Sequence, residues 1–229
     1  MRKYSSFPTL FPFLLLSLLF SPSNPDPDLL VDYCVADTSP AGQSLHLNGL
    51  PCLDPALARP SHFATSILSM PGNTAANPLG FNVTLTTAAA LPGANAQGLS
   101  LARVDLAGGG LVPPHAHPRA SEVALLLHGD LLVGFVDTSY RFFTQRLRPG
   151  DAFVFPRGLV HFLYNLNPVA PAVAVSGLNS QNPGVQMMPL AAFRSDPRIP
   201  EVLKKTFKIS AQDMHRIQKN LGGLDTGLV

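Results

Sequence analysis

Short apolar runs separated by turn residues constrain the fold of this chain more than any other feature of its sequence. Between residues 79 and 180 the runs return about every 8 to 12 residues, which is typical of a β-sandwich or β-barrel. Gly129-Asp130 and Gly150-Asp151 occupy breaks where tight turns are expected. No helical pattern separates the runs, so neighbouring strands should pair antiparallel. The predicted strands are 81–86, 99–106, 122–128, 131–136, 141–147, 152–155, 160–165 and 172–177.

The composition fits a folded domain with a sizeable core. Of 229 residues, 46% are hydrophobic and only 13% are charged, which excludes a highly charged disordered chain. The net charge is only +2, and the densest basic group is Lys204, Lys205 and Lys208. We therefore expect no nucleic-acid partner, because nucleic-acid binding needs a stronger basic patch.

The first residues resemble an export signal. Arg2 and Lys3 precede an apolar run at 10–20, which is shorter than the roughly 20 residues that a membrane span requires. Pro8 and Pro12 disfavour the alternative of an N-terminal anchor helix. We predict a signal peptide at 1–23, a secreted protein and no membrane span. Loss of Arg2 and Lys3 would leave 14 basic and 14 acidic residues, so the mature chain would be neutral.

Cysteine usage agrees with secretion. The only two cysteines, Cys34 and Cys52, lie close together in the sequence and should form one disulfide in an oxidising compartment. Two free thiols are the weaker alternative, and the absence of a Cys-x-x-Cys pair disfavours zinc. Asn82 begins the triplet Asn-Val-Thr, a candidate N-glycosylation site in a secreted chain.

The regions on either side of the strand-rich segment have different patterns. Residues 24–78 are rich in Pro, Asn, Asp and Ser, and we expect an irregular arm there. Pro200 should begin a helix that runs to 207, and Ser210 with Asp213 should cap a second helix that ends near 221. Apolar residues recur every three or four positions in this second helix and predict a packing face or subunit contact.

Four residues form the strongest candidate site. His115 and His117 are two apart, so on a strand both imidazoles point to the same side. Glu122 follows after Pro118, where a turn can direct the carboxylate toward them. His161 lies one or two hairpins later, and we expect it to face the pair across a barrel.

Three imidazoles and a carboxylate suit a divalent first-row metal. Their spacing alone leaves Mn, Fe, Zn, Cu and Ni open. A six-coordinate ion would keep two positions for water or a small-molecule substrate. The remaining histidines lack such partners and are interpreted as ordinary surface or core residues: His46, His62, His128 and His215.

With these residues identified, the chain resembles the plant germins and germin-like proteins of the cupin superfamily. Both cupin motifs are present with family spacing, and the resemblance extends over nearly the whole mature chain. It includes the segment from Cys34 to Asp37 and the segment from Ser180 to Gly184. The first motif comprises Gly109, His115, His117, Glu122 and Gly129, and the second comprises Gly150, Pro156, His161 and Asn165.

The resemblance implies an all-β protein: a cupin jelly-roll β-barrel with an N-terminal arm and C-terminal helices. The expected divisions are the arm with its disulfide at 24–78, the barrel at 79–190 and the helical extension at 191–229. The resemblance also implies Mn(II) held by His115, His117, Glu122 and His161. It further implies a glycoprotein of the apoplast or cell wall, assembled as a homohexamer from a trimer of dimers.

Members of this family include oxalate oxidases, superoxide dismutases, and storage-like (nutrient reservoir) or defence proteins. Germin oxalate oxidases hold their substrate with two asparagines, and Ala102 and Val112 occupy those positions here. Neither side chain can hydrogen-bond a carboxylate, which argues against oxalate oxidation. We therefore expect superoxide dismutation, with a non-enzymatic wall or storage role as the alternative and oxalate oxidation as a weaker third.

Overall fold

A computed structural model of the chain describes residues 31–39, 49–193 and 200–221. The predicted signal peptide at 1–23 and His46 lie outside the described residues. No helix within the described ranges is both long and apolar enough to cross a membrane.

Two five-stranded antiparallel sheets pack face to face and form a jelly-roll β-barrel, which confirms the predicted fold class. The first sheet has the strand order β1-β2-β9-β4-β7, and the second has the order β10-β3-β8-β5-β6. The strands are β1 (Phe81–Leu85), β2 (Ser100–Leu106), β3 (Leu111–Ala116), β4 (Glu122–His128), β5 (Leu131–Val136), β6 (Phe142–Leu147), β7 (Ala152–Phe155), β8 (Val160–Asn165), β9 (Ala172–Leu178) and β10 (Gln186–Met187).

Alternation along the strands builds the core between the sheets. In β4, Ala124 and Leu126 are buried, whereas Val123 and Leu125 are exposed on the outer face. The largest fully buried apolar side chains come from seven strands and fill the barrel: Phe81, Leu106, Leu126, Leu131, Leu147, Phe155 and Leu163. This core holds rigid the strands that carry the candidate site.

The sequence prediction missed strand β3, although this strand carries His115. Its two prolines, Pro113 and Pro114, cannot donate backbone hydrogen bonds and normally argue against a strand inside a sheet. The structure tolerates them because the pairing of β3 with β8 shifts register between Val112 and His115. The irregularity coincides with the prolines, so the strand continues beyond them to the candidate site.

The N-terminal arm packs on the barrel through short 3₁₀ helices and a disulfide. Cys34 and Cys52 are bonded across 18 residues of sequence, and Ala36 pairs with Cys52 in an isolated β-bridge. Asp105 of β2 accepts a hydrogen bond from the Gly72 amide at 2.9 Å and ties the arm to the first sheet. The 3₁₀ helices of the arm are Pro55–Leu57, Pro60–Phe63, Ile67–Ser69 and Thr74–Ala76, and a further one, Pro92–Ala94, follows β1.

Within the described residues, three helices follow the barrel: α1 (Met188–Phe193), α2 (Pro200–Phe207) and α3 (Ala211–Leu221). Helix α1 was not predicted, because its six residues are too few for a helical period to stand out. The Ser210 hydroxyl accepts from the Asp213 amide at 3.0 Å and donates to the Asp213 carboxylate at 2.7 Å. Leu221 packs against the barrel core, and this contact anchors the extension.

Candidate metal centre

Four side chains converge inside the barrel at the end where β3, β4 and β8 meet. One ligand atom from each of His115, His117, Glu122 and His161 lies within 4.8 Å of every other. All four side chains are buried; the exposed fraction is 8% for His117 and 4% or less for the others. Such burial of ionisable groups is costly without a compensating partner, so the cluster indicates a functional site.

The three histidines come from one sheet. His115 of β3 stands directly opposite His161 of β8 in the antiparallel ladder, and their ring centroids are 4.1 Å apart. His117 follows just beyond β3, with its ring 5.1 Å from that of His115. The expectation that His161 would face the other two from across the barrel is wrong, because β8 is the immediate neighbour of β3.

The Glu122 carboxylate, rather than His161, comes from the opposite sheet. A turn that contains Pro118 carries the chain from the second sheet to the first, and Glu122 is the first residue of β4. Glu122 Oε2 lies 3.0 Å from His117 Nε2 and 3.4 Å from His161 Nε2. The site therefore joins the two sheets, with imidazoles on one side and a carboxylate on the other.

Backbone carbonyls orient each imidazole in the same way. His115 Nδ1 lies 2.9 Å from the Pro113 carbonyl, and His161 Nδ1 lies 2.9 Å from the Leu159 carbonyl. His117 Nδ1 is 2.5 Å from the carbonyl of Gly184. A carbonyl can only accept, so each Nδ1 carries a proton, and in the neutral form of each ring the lone pair is on Nε2. All three lone pairs are thus available to a cation, as in metal-binding histidines.

The electrostatics of the site also favour a bound cation. Burial lowers the pKa of His115 to about 3, with help from the neighbouring His161 and His117, so this ring is neutral. Burial opposes charge on Glu122, but the His117 contact and the electrostatic influence of nearby His161 outweigh it and hold the pKa of Glu122 well below its usual range. Burial also disfavours charged His117, yet the hydrogen bond and charge of Glu122 raise its pKa overall.

The hydrogen bonding of His161 Nε2 tests whether a metal fits these residues. His161 Nε2 is buried and has no hydrogen-bond partner among the described residues. A buried acceptor without a partner is costly, and a metal ion would satisfy it. Three Nε2 lone pairs and one ionised carboxylate match the ligands that first-row divalent metals accept, so the residues fit a metal.

Sequence analysis missed the residues that support these four. The Ser176 hydroxyl of β9 donates to Glu122 Oε1 at 2.6 Å in the buried interior. The sequence feature that could have identified Ser176 is its place among the inward-facing residues of β9. The other inward-facing residues of this strand are apolar: Ala172, Ala174 and Leu178. A polar residue in such an apolar row marks a specific partner.

The segment that supplies the Gly184 carbonyl is itself held in place. Arg119 donates to the Asn182 carbonyl at 2.7 Å and to its side-chain oxygen at 2.8 Å. Gly184 has φ of 65°, and a Cβ there would come within 2.7 Å of the Arg119 guanidinium. The positive φ favours glycine at this position, and the resulting geometry presents its carbonyl to His117.

A cavity of about 330 Å³ opens beside the cluster and is lined by His115, His117 and Glu122. Its walls are mainly apolar and come from β1, β2, β3, β8, β9 and β10. Ala102 and Val112 both line it. The cavity gives a small molecule access to the lone pairs of the site.

The other candidate residues lie outside this cluster. Asn82 is half-buried on β1, an edge strand of the first sheet. His62 Nδ1 accepts from the Arg59 amide, and His128 is exposed at the end of β4. His215 is exposed on α3. These histidines belong to no other metal-ligand group among the described residues.

Comparisons with known proteins agree with the fold. The cupin family profile matches residues 66–215. "Germin-like protein 3-1" of Oryza sativa subsp. japonica is 67% identical over 203 residues, which cover 87% of this chain and 90% of the relative. "Germin-like protein subfamily 1 member 1" of Arabidopsis thaliana is 56% identical over 211 residues, which cover 92% and 97%.

Solved structures with similar folds are also found. An oxalate oxidase structure superposes with a TM-score of 0.80 at 40% identity, covering 87% of this chain and 100% of that one. Peruvianin-I, described as a cysteine peptidase from Thevetia peruviana latex, has a TM-score of 0.65 at 39% identity and covers 71% and 98%. The present chain has only two cysteines, and both are in the disulfide, so it has no thiol nucleophile.

Proposed function

Since this chain belongs to the cupin family and, within it, to the germin-like proteins, we propose that it is a secreted Mn(II)-binding protein that dismutates superoxide. The observation that carries the proposal is the convergence of three Nε2 lone pairs and the Glu122 carboxylate on one point. His115, His117, Glu122 and His161 would hold the ion. The mixed imidazole and carboxylate donors are compatible with manganese.

The charge of the site supports a small anionic substrate. Three neutral imidazoles and one carboxylate leave a divalent ion with a net charge of about +1, which attracts anions. A bound manganese ion would supply the one-electron redox chemistry, by which two superoxide anions and two protons give dioxygen and hydrogen peroxide. The protein fixes the four ligands from two rigid sheets, and its apolar cavity walls limit water around them.

Superoxide assays on the purified, manganese-loaded protein test this activity. The loaded protein should accelerate dismutation, and His117→Ala should lose most of that rate. His128→Ala, which changes an exposed histidine, should retain it. Stoichiometric metal without metal-dependent dismutation would remove the enzymatic claim and leave the binding claim.

A non-enzymatic wall, storage or defence role is the second candidate, and the cavity gives it some support. Apart from His115, His117 and Glu122, no residue that lines the cavity carries a titratable side chain. In this case the metal would act as a structural link between the two sheets. Chelation should then lower the unfolding temperature while no catalytic activity is lost.

Oxalate oxidation is the least favoured candidate despite the similarity to oxalate oxidase structures. Ala102 and Val112 contribute only apolar groups to the cavity, so neither offers a hydrogen-bond donor to a substrate carboxylate. Hydrogen peroxide production from oxalate by the purified protein would revive this activity.

We also propose secretion to the apoplast or cell wall, with N-glycosylation at Asn82. The Cys34–Cys52 disulfide is consistent with an oxidising compartment. Expression of the full chain in plant cells, followed by mass spectrometry of the extracellular fraction, tests both points. A mature N-terminus near residue 24 and a glycan on Asn82 are expected; retention of residues 1–23 in an intracellular product would contradict secretion.

Assembly into a homo-oligomer, with a hexamer as the expected form, is part of the same proposal. The outer face of the first sheet carries a row of apolar residues across neighbouring strands. Leu101 and Val123 both pair with Gly177 of β9, and Val123 also pairs with Val154 of β7. These three side chains are 41%, 46% and 55% exposed. An exposed apolar surface of this kind is typical of a subunit contact.

A further inference from the structure

The cavity beside the candidate metal centre combines metal-ligating side chains with a mainly aliphatic wall. At one end lie His115, His117 and Glu122, whose ligand atoms would face a metal. The remaining walls are dominated by aliphatic side chains from both sheets, including Val83, Leu85 and Leu163. A ligand that fills this space meets a cationic point at one end and hydrocarbon around the rest of its surface.

The cavity wall has three uncharged polar side chains, those of Thr87, Gln181 and Asn182. The Asn182 side-chain oxygen accepts from Arg119 at 2.8 Å, and the Gln181 side-chain oxygen accepts from the Ala96 amide. No lysine or arginine lines the cavity. A second carboxylate on a ligand would therefore enter an apolar environment without a counter-charge, which carries a large desolvation cost.

We propose that this cavity selects small monocarboxylates with an apolar body over ligands that lack such a body. The single carboxylate would be held at the metal centre, and the body would pack on the aliphatic walls. Ala102 and Val112 are the specificity-determining residues. This inference rests on the proposed metal-binding function and specifies the ligand class of the same site.

Ala102 and Val112 approach the cavity from opposite sheets. Ala102 lies on β2 beside Ser176 of β9, the residue that holds Glu122, and is 4% exposed. Val112 lies on β3 just before the register shift that leads to His115, and is 2% exposed. Both side chains thus border the ligand residues, and their lack of polar atoms makes this part of the cavity apolar.

Titration calorimetry with benzoate and acetate on the manganese-loaded protein tests the proposal. Both probes carry the same donor, so the difference between their affinities reports the packing of the phenyl ring. We expect benzoate to bind at least about tenfold more tightly than acetate, because the ring leaves water for an aliphatic cavity. The metal-free protein should lose most of its affinity for both probes.

Substitutions at the two wall residues provide the second measurement. Val112→Thr keeps the shape and adds a hydroxyl, so the preference for benzoate over acetate should fall several-fold. Ala102→Asn with Val112→Asn should reduce it further and strengthen oxalate binding. Val133→Thr makes the same change at a fully buried position that does not line the cavity, and should leave the preference unchanged.

Metal content, measured before each titration, distinguishes a failure of the proposed metal-binding function from a failure of the inference about the ligand class. Absence of bound metal would overturn the proposed function and this inference with it. If metal is bound but benzoate binds within about threefold of acetate, only the inference is overturned. An unchanged preference in Val112→Thr would likewise remove Val112 from the specificity-determining role.

Discussion

Ser176 places a hydroxyl on Glu122 in the interior of the barrel, at 2.6 Å from Oε1. Ser176→Ala should leave that carboxylate oxygen without its donor and free to move. We expect about a tenfold loss of metal affinity, the usual size of an effect from a group that orients a ligand. Competition with a metal-sensitive dye measures it.

Ser100→Ala is the matched control for this substitution. Ser100 is also buried on the inner face of the first sheet, but its hydroxyl donates to the Ser180 carbonyl at 2.8 Å. Its loss should lower stability by about 1 kcal/mol without altering metal affinity. Equal metal affinities in the two serine variants would show that Ser176 does not position Glu122.

Protons and metal compete for the same nitrogen at His117. In the metal-free protein, contact with Glu122 raises the pKa of His117 above its usual 6.5, despite burial. Below that raised pKa, a metal must displace the proton from Nε2. Affinity should therefore fall as the pH falls, with about one proton released for each metal bound at pH 6. Calorimetry in buffers of different ionisation enthalpy measures this release, and binding without proton release would contradict the assignment.

At the scale of elements, the sequence predicted eight of the ten described strands to within about two residues. The missing β3 contains Pro113 and Pro114, and only the register shift against β8 makes them compatible with a strand. The four convergent site residues could be named from spacing and resemblance. The relative positions of Glu122 and His161 could not, because strand order within each sheet depends on tertiary pairing.

The disulfide of the arm is an element that can be tested separately from the barrel. Cys34→Ser with Cys52→Ser should lower the free energy of unfolding by about 3 kcal/mol, because the open chain regains loop entropy in the unfolded state. Denaturant titration measures the loss. Metal content should be unchanged, since the four site residues lie on the barrel; reduction of the unaltered protein is the control. An unchanged unfolding midpoint would contradict a stabilising role.

For the whole molecule, the exposed apolar row of the first sheet predicts self-association. Val154→Lys places a charge in this row and should shift the assembly toward smaller species, because an unpaired charge would be buried at the contact. Val169→Lys makes the same change in the loop between β8 and β9, at a residue 86% exposed, and should leave the mass unchanged. Light scattering measures the mass. A monomeric unaltered protein would refute the assembly.

Metal content measured by mass spectrometry, with electron paramagnetic resonance to identify the ion, tests the central claim most directly. The account predicts about one manganese ion for each folded chain, because the described residues provide one convergent ligand group. His161→Ala should lose it, whereas His128→Ala should keep it. Absence of metal from the unaltered protein, or equal metal in the His161→Ala variant, would contradict the assignment of this site.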